Sequence, residues 1–148
     1  MFRSRWIITA ATGTVSNFGV ESNAPGGCSG TRVLVADDSS LVRKNVIKFL
    51  GTKFERSVVY ESESVRSTIE QIDEHHPATV ILDLHFPDGS GFDVLAHVKS
   101  AIPADHRPCV IVFTSFSAGG ERERSIELGA RHFIDKNTNI ERLLDVLG

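Results

Sequence analysis

Short apolar runs alternate with amphipathic stretches from residue 32 to residue 148. The runs at 80–82 (VIL) and 110–113 (VIVF) are continuously apolar, which is typical of strands buried on both faces of a parallel sheet. Between such runs, residues such as Val42, Val46 and Leu50 recur at helical spacing. Five strand–helix units in series predict an α/β fold, a doubly wound five-stranded parallel sheet with flavodoxin-like strand order 2-1-3-4-5 and helices on both faces.

The predicted strands cover 32–36, 57–60, 78–82, 109–113 and 131–134. Capping residues and helix breakers set the predicted helix ends. They are the N-caps Ser39 and Ser90, the stops Gly51, Pro77 and Gly129, and a capping box formed by Thr138 and Glu141.

Residues 1–31 are rich in Ser, Thr, Asn and Gly and show little periodicity. We therefore predict a disordered N-terminal extension, followed by one domain over residues 32–148. The formal net charge of −3 argues against an electrostatic nucleic-acid binder. No apolar run approaches the roughly 20 residues that span a bilayer, so no membrane partner is expected.

The two cysteines, Cys28 and Cys109, lie far apart in unlike sequence contexts. We expect neither a disulfide framework nor a zinc site from them, and a reducing cytoplasm as the location.

Polar residues follow the predicted strands at their carboxyl ends, where doubly wound sheets place their ligands. Asp37 and Asp38 follow the first strand, Asp83 the third, Thr114 the fourth and Lys136 the fifth. Three carboxylates brought together repel one another unless a cation lies between them, and Mg²⁺ is the usual hard cation beside phosphate. A carboxylate can itself be a nucleophile, and a lysine and a threonine hydroxyl can hold phosphoryl oxygens. This arrangement predicts phosphoryl transfer.

The ordered set formed by Asp37-Asp38, Asp83, Thr114 and Lys136 resembles the receiver domain of bacterial response regulators. The loop at 82–91 (LDLHFPDGSG) is similar to the one that follows the phosphoacceptor of that family. The aromatic residue Phe133, three positions before the lysine, matches the family's switch aromatic. The resemblance covers residues 32–148, which would make this segment a receiver domain.

The resemblance implies a role for each site residue. Asp83 would be the phosphoacceptor. Asp38 would bind Mg²⁺ directly, and Asp37 would bind it mostly through water. The backbone carbonyl of His85 would complete the protein ligands of the ion. Thr114 and Lys136 would bind the phosphoryl group.

The resemblance also implies a switch. On phosphorylation Thr114 would shift toward the phosphoryl group and Phe133 would turn inward. The surface formed by the fourth helix, fifth strand and fifth helix would then change its affinity for a downstream protein target.

The function implied is that of a stand-alone response regulator, a signalling phosphoacceptor rather than an enzyme, with self-catalysed phosphorylation and slow autodephosphorylation. Its phosphoryl donor would be a histidine kinase or a histidine phosphotransfer protein, its output would pass through protein contacts, and no direct nucleic-acid contact is expected. One alternative is a pseudo-receiver, a binding module that is not regulated by phosphorylation. Another is a phosphatase of the Asp-nucleophile type, but that family needs a second Asp where this chain has His85.

Three positions depart from the family's usual pattern. Asn137 follows Lys136 where the family has a proline with a cis bond, and this favours the pseudo-receiver alternative and a trans or strained loop. Ser115 follows Thr114 where the family often has Ala. His85 and Phe116 lie two residues after Asp83 and Thr114, and we hypothesise that both shield the phosphoryl group from water and slow its hydrolysis.

Overall fold

The computed structural model describes residues 32–51, 57–115, 119–137 and 140–147. Several expectations lie outside these residues: the disordered extension, the shielding by Phe116 and the cap at Thr138.

Five parallel strands form the central sheet, in the order β2-β1-β3-β6-β7. They are β1 (Arg32–Ala36), β2 (Val58–Ser62), β3 (Thr79–Leu82), β6 (Cys109–Thr114) and β7 (His132–Asp135). β6 and β7 are the predicted fourth and fifth strands, so the order confirms the predicted flavodoxin-like topology. Two further strands of two residues each, β4 (His85–Phe86) and β5 (Gly89–Ser90), form an antiparallel hairpin that the sequence did not predict.

Five α-helices connect or follow these strands. They are α1 (Ser40–Gly51), α2 (Val65–His75), α3 (Gly91–Ala101), α4 (Glu121–Glu127) and α5 (Glu141–Leu147), with a 3-10 helix at Ala104–His106. Ser90 is the N-cap of α3, as predicted, and its side chain accepts the N–H of Phe92. Gly51 is the last residue of α1 rather than the first residue beyond it.

Alternating side chains divide the sheet into two apolar faces. Leu34 and Ala36 of β1 pack with residues of α2 and α3 such as Ile72 and Leu95. Val33 and Val35 of the same strand pack on the opposite face, in one cluster with residues of α1 and α5. Both faces are therefore covered by helices, which confirms the predicted layers and explains why the strands are continuously apolar.

Two observations bear on the predicted surroundings of the protein. None of the helices among the described residues is long and apolar enough to cross a membrane. Cys109, at the start of β6, is disulfide-bonded, so the expectation that the cysteines form no disulfide is wrong at this residue. Cys28 lies outside the described residues, and the cytoplasmic location stays a prediction.

Candidate functional site

The main-chain ladder of the sheet continues one residue beyond three of its strands and fixes the backbone of the site. The Asp37 N–H donates to the Ser62 carbonyl at 3.0 Å, and the Asp83 N–H donates to the Ala36 carbonyl at 2.9 Å. The Lys136 N–H donates to the Thr114 carbonyl at 2.8 Å. The register of the strands therefore brings residues that are distant in sequence to one edge of the sheet.

Three carboxylates meet at this edge. One oxygen each of Asp37, Asp38 and Asp83 can be chosen so that all three atoms lie within 4.8 Å of one another. Asp37 is 3% exposed and Asp83 is 5% exposed, whereas Asp38 faces solvent. The cluster is therefore closed on the protein side and open on the side from which an ion or a phosphoryl donor would enter.

Local hydrogen bonds orient the two buried carboxylates. Asp37 Oδ1 accepts the Ser39 N–H at 2.9 Å. Asp83 Oδ1 accepts the Leu84 N–H at 2.8 Å. In both residues this leaves Oδ2 as the atom that faces the cleft and Lys136.

Lys136 contacts both buried acids. Its Nζ donates a hydrogen bond to Asp37 Oδ2 and lies 3.4 Å from Asp83 Oδ2. Burial raises the pKa of the Asp37 carboxyl above its usual value of 3.8, and the nearby charge of Asp83 raises it further. The hydrogen bonds from Lys136 and Ser39 oppose this shift but do not cancel it.

The donor set fits a magnesium ion. A single ammonium group cannot neutralise three carboxylates, and their oxygens are the ligands that a hard divalent cation prefers. Asp37, Asp38 and Asp83 are the residues that would hold it. The further ligand predicted from the sequence, the carbonyl of His85, belongs to a residue that lines the same cleft.

A cleft of about 520 Å³ surrounds the acidic cluster. Besides the acids and Lys136, the residues that line it lie around the start of α1, in and after β4, and directly after β6: Ser39, Val42, His85, Phe86, Pro87 and Ser115. The cleft is large enough to admit a phosphoryl group and water to Asp83.

Thr114 is the last residue of β6, directly before Ser115, which lines this cleft. It is fully buried, and its Oγ1 has no hydrogen-bond partner among the described residues. Burying a hydroxyl without a partner costs free energy, so such a group points to a ligand that would accept or donate the missing bond. Ser115, the next residue, is exposed and lines the cleft.

Phe133 lies away from the cleft, in the apolar cluster that contains α2 and α3. Its ring is already buried, at 6% exposure, and the Arg122 guanidinium lies 5.3 Å from its centroid. Any switch at this position therefore starts from a covered ring, and the predicted inward turn stays a prediction.

The loop after β3 is held in place around a glycine. A Cβ at Gly91 would overlap the carbonyl oxygen of Asp83 and lie 3.0 Å from the Leu84 Cα, so only glycine permits this approach. His85 in the same loop has its Nε2 3.9 Å from the Glu121 carboxylate at the start of α4. The loop that carries Asp83 therefore contacts both α3 and α4.

Two residues of the site were not predicted to contribute to its structure. Arg43 of α1 donates to the Asp37 carbonyl at 2.6 Å and to the Glu61 carboxylate at 2.9 Å. Asn137 donates through its side-chain amide to the Ser115 carbonyl. The helical spacing of Arg43 from the apolar residues Val46 and Leu50 was the only sequence signal for the first contact. None existed for the second beyond the missing proline.

The Lys136–Asn137 peptide bond is trans, because no peptide bond among the described residues is cis. The expectation of a loop that differs from the family's usual cis form is met in this respect. The site therefore has to place Lys136 by contacts other than a cis bond.

Comparisons with known proteins indicate the family of this chain. The profile of the response regulator receiver domain family matches residues 33–148. The chain is 32% identical over 91 residues to the polar-differentiation response regulator DivK of Brucella ovis, an alignment that covers 60% of this chain and 73% of DivK.

Two further similarities differ in how much of the other protein they cover. The chain is 26% identical over 116 residues to the transcriptional regulatory protein YdfI of Bacillus subtilis, covering 78% of this chain and 53%, about half, of YdfI. The structure of the chemotaxis response regulator CheY4 of Vibrio cholerae aligns with a TM-score of 0.68 at 21% identity, covering 79% of this chain and 95% of that one. At that identity the similarity supports the fold alone.

Proposed function

The chain belongs to the response regulator receiver domain family, and from this premise we propose that Asp83 accepts a phosphoryl group with the help of one Mg²⁺. One observation carries the proposal: a buried Asp83 shares a cleft with two further carboxylates and with the Lys136 ammonium. Phosphoryl transfer depends mainly on positioning and charge neutralisation, and this arrangement supplies both.

We assign Asp83 Oδ2 as the nucleophile, because Oδ1 already accepts the Leu84 N–H. Oδ2 forms a bond to phosphorus while the phosphorus–nitrogen bond of a phosphohistidine breaks and the imidazole leaves. Mg²⁺ held by Asp37, Asp38 and Asp83 would supply positive charge that neutralises the phosphoryl oxygens. Lys136 then exchanges its contact with Asp37 for a phosphoryl oxygen, and the Thr114 hydroxyl gains the partner that it lacks.

The donor in this proposal is a histidine kinase or a histidine phosphotransfer protein. The output is a protein contact on the surface formed by α4, β7 and α5, where Arg122 and Phe133 meet. DivK is named as a response regulator and YdfI as a transcriptional regulatory protein, so the relatives of this chain carry names that indicate different outputs. We propose that this chain acts as a stand-alone response regulator through protein contacts.

The alternative is a pseudo-receiver that binds partners without phosphorylation. Asn137 favours it, because the loop that carries Lys136 lacks the proline of the family's pattern. The contact of Lys136 with both buried acids favours the active form, since the lysine reaches the acceptor despite the trans bond.

Intact mass after incubation with Mg²⁺ and acetyl phosphate tests the proposal, with Asp83→Asn as the control. We expect a gain of one phosphoryl group in the parent that is lost with EDTA and absent from the control. A parent that gains no mass with acetyl phosphate or with a phosphorylated phosphotransfer protein, and that does not bind Mg²⁺ by calorimetry, would establish the pseudo-receiver instead.

A further inference from the structure

Asn137 occupies the junction between two segments of the site. Its backbone N–H donates to the Asp135 carboxylate at 2.8 Å, and its side-chain amide donates to the Ser115 carbonyl. Lys136, one residue earlier, donates its own N–H to the Thr114 carbonyl at 2.8 Å. Two consecutive residues after β7 are therefore bonded to two consecutive residues at the end of β6.

This double attachment constrains the lysine. A lysine side chain has four rotatable bonds, so its ammonium reaches a fixed point only if the backbone that carries it is fixed. The side chain of Lys136 is nevertheless held in place: it is only 13% exposed, and its ammonium contacts both Asp37 and Asp83. The side-chain amide of Asn137 connects this loop to the Ser115 carbonyl, directly after β6, and the peptide bond beside it is trans.

The same attachment joins the lysine to the threonine. Ser115 accepts the Asn137 amide, and Thr114 directly before it carries the unpartnered buried hydroxyl. A displacement of the Thr114–Ser115 backbone would therefore be transmitted to the backbone of Lys136 through two hydrogen bonds. The two groups assigned to the phosphoryl oxygens are therefore connected through the backbone.

We propose that Asn137 is a positioning residue, which orients Lys136 for phosphoryl transfer and couples it to Thr114 through the Ser115 carbonyl. The inference rests on the proposed function, because it names what holds that function's lysine. It assigns to an asparagine amide the task of fixing this loop, and no contact of Asn137 with the phosphoryl group is implied.

The test is a double-mutant cycle on the rate of phosphorylation by acetyl phosphate. Asn137→Ala removes the amide, and Asn137→Asp keeps its shape but cannot donate to the Ser115 carbonyl. We expect both to slow the reaction about tenfold at saturating donor, since small misplacements of a reacting group have effects of this size. Asn45→Ala, the same change at an exposed position of α1, should alter the rate less than twofold.

The second half of the cycle separates positioning from general destabilisation. In a Lys136→Ala background, Asn137→Ala should slow the reaction less than twofold further, because the lysine that it positions is gone. Mg²⁺ affinity by calorimetry and the thermal midpoint should equal those of the parent. A parent-like rate for Asn137→Ala, or equal slowing in both backgrounds, would overturn the proposal.

An independent measurement keeps the two proposals distinguishable. If the parent behaves like Asp83→Asn, the proposed function fails, and the NMR order parameter of the Lys136 Cε then decides the positioning role without any donor. We expect Asn137→Ala to lower this order parameter and Asn45→Ala to leave it unchanged. An unchanged value in Asn137→Ala would remove the positioning role.

Discussion

At the scale of single residues, Thr114 and Thr68 are both fully buried, but only one of them is hydrogen-bonded through its side chain among the described residues. Thr68 Oγ1 donates to the Ser64 carbonyl at 2.6 Å and lies 2.7 Å from Ser62 Oγ. Thr114 Oγ1 has no such partner. An unsatisfied buried hydroxyl opposes folding, whereas a bonded one supports it.

We therefore expect opposite effects of Thr→Val at these two positions. Thr114→Val should leave the free energy of unfolding unchanged or raise it by about 1 kcal/mol, because an unpaired polar group is replaced by an apolar one. It should also slow phosphorylation of Asp83. Urea unfolding and the mass assay measure the two effects.

Thr68→Val is the matched control. It should lower the free energy of unfolding by about 1–2 kcal/mol, since it removes both hydrogen bonds of the Thr68 hydroxyl, to the Ser64 carbonyl and to the buried Ser62 hydroxyl. A loss of stability in Thr114→Val as large as that in Thr68→Val would show that the Thr114 hydroxyl is bonded in the protein.

At the scale of elements, helix α2 begins on a carboxylate from the loop between β4 and β5. Asp88 accepts the backbone N–H groups of Val65 at 2.8 Å and Arg66 at 3.1 Å. These bonds, that of Val65 first, lower the pKa of Asp88 below its usual value of 3.8. The hairpin after β3 is in this way attached to the N-terminus of α2, where a negative charge is favourable.

The lowered pKa fixes the sign of a pH dependence. The folded state binds the Asp88 proton less tightly than the unfolded state, so the stabilisation is complete above pH 3.8 and is lost as the pH falls through the lower folded value. We expect the difference in stability between the parent and Asp88→Ala to be largest near neutral pH and to shrink in acid. Chemical denaturation at several pH values measures it.

Asp105→Ala, at an exposed residue of the 3-10 helix, is the control for loss of one negative charge. It should change stability little at any pH. A difference for Asp88→Ala that stays constant from neutral pH to acid would contradict the capping role.

Most helices and strands could be predicted from the sequence, and a few short ones could not. The five strands and five helices follow from apolar periodicity, and the observed ends differ from the predicted ones by a few residues. The β4–β5 hairpin was missed because two-residue strands leave no periodic pattern, and the 3-10 helix was missed for the same reason.

Some contacts of the candidate site could also be predicted from the sequence, and others could not. Asp37, Asp38, Asp83 and Lys136 could be placed together because parallel strands end at one edge. The contacts of Arg43 and Asn137 could not, because they depend on the path of loops that no pattern encodes. The roles of all these residues in phosphoryl transfer stay predictions.

At the scale of the whole molecule, three carboxylates at one edge of the sheet make folding and cation binding interdependent. The repulsion among Asp37, Asp38 and Asp83 opposes the folded state, and a bound cation relieves it. A ligand that binds only the folded state stabilises it by about 2.7 kcal/mol at one hundred times its dissociation constant.

We therefore expect the free energy of unfolding to rise with the logarithm of Mg²⁺ concentration, compared with KCl at equal ionic strength. Asp38→Ala should abolish this slope without unfolding the protein, because Asp38 is exposed. Asp145→Ala, which removes an exposed acid from α5, should keep it. An identical slope in parent and Asp38→Ala would place the ion elsewhere.

The main-chain bonds that hold Asp37, Asp83 and Lys136 involve no side-chain atom of these three residues. The backbone of the site therefore does not depend on the side chains that would carry out phosphoryl transfer. We therefore expect a gene copy that encodes asparagine at position 83 to yield a folded chain that keeps the proposed partner surface on α4, β7 and α5. If the proposed function holds, a cell with both copies should show dominant interference rather than simple absence, because the inert copy would occupy the proposed partners.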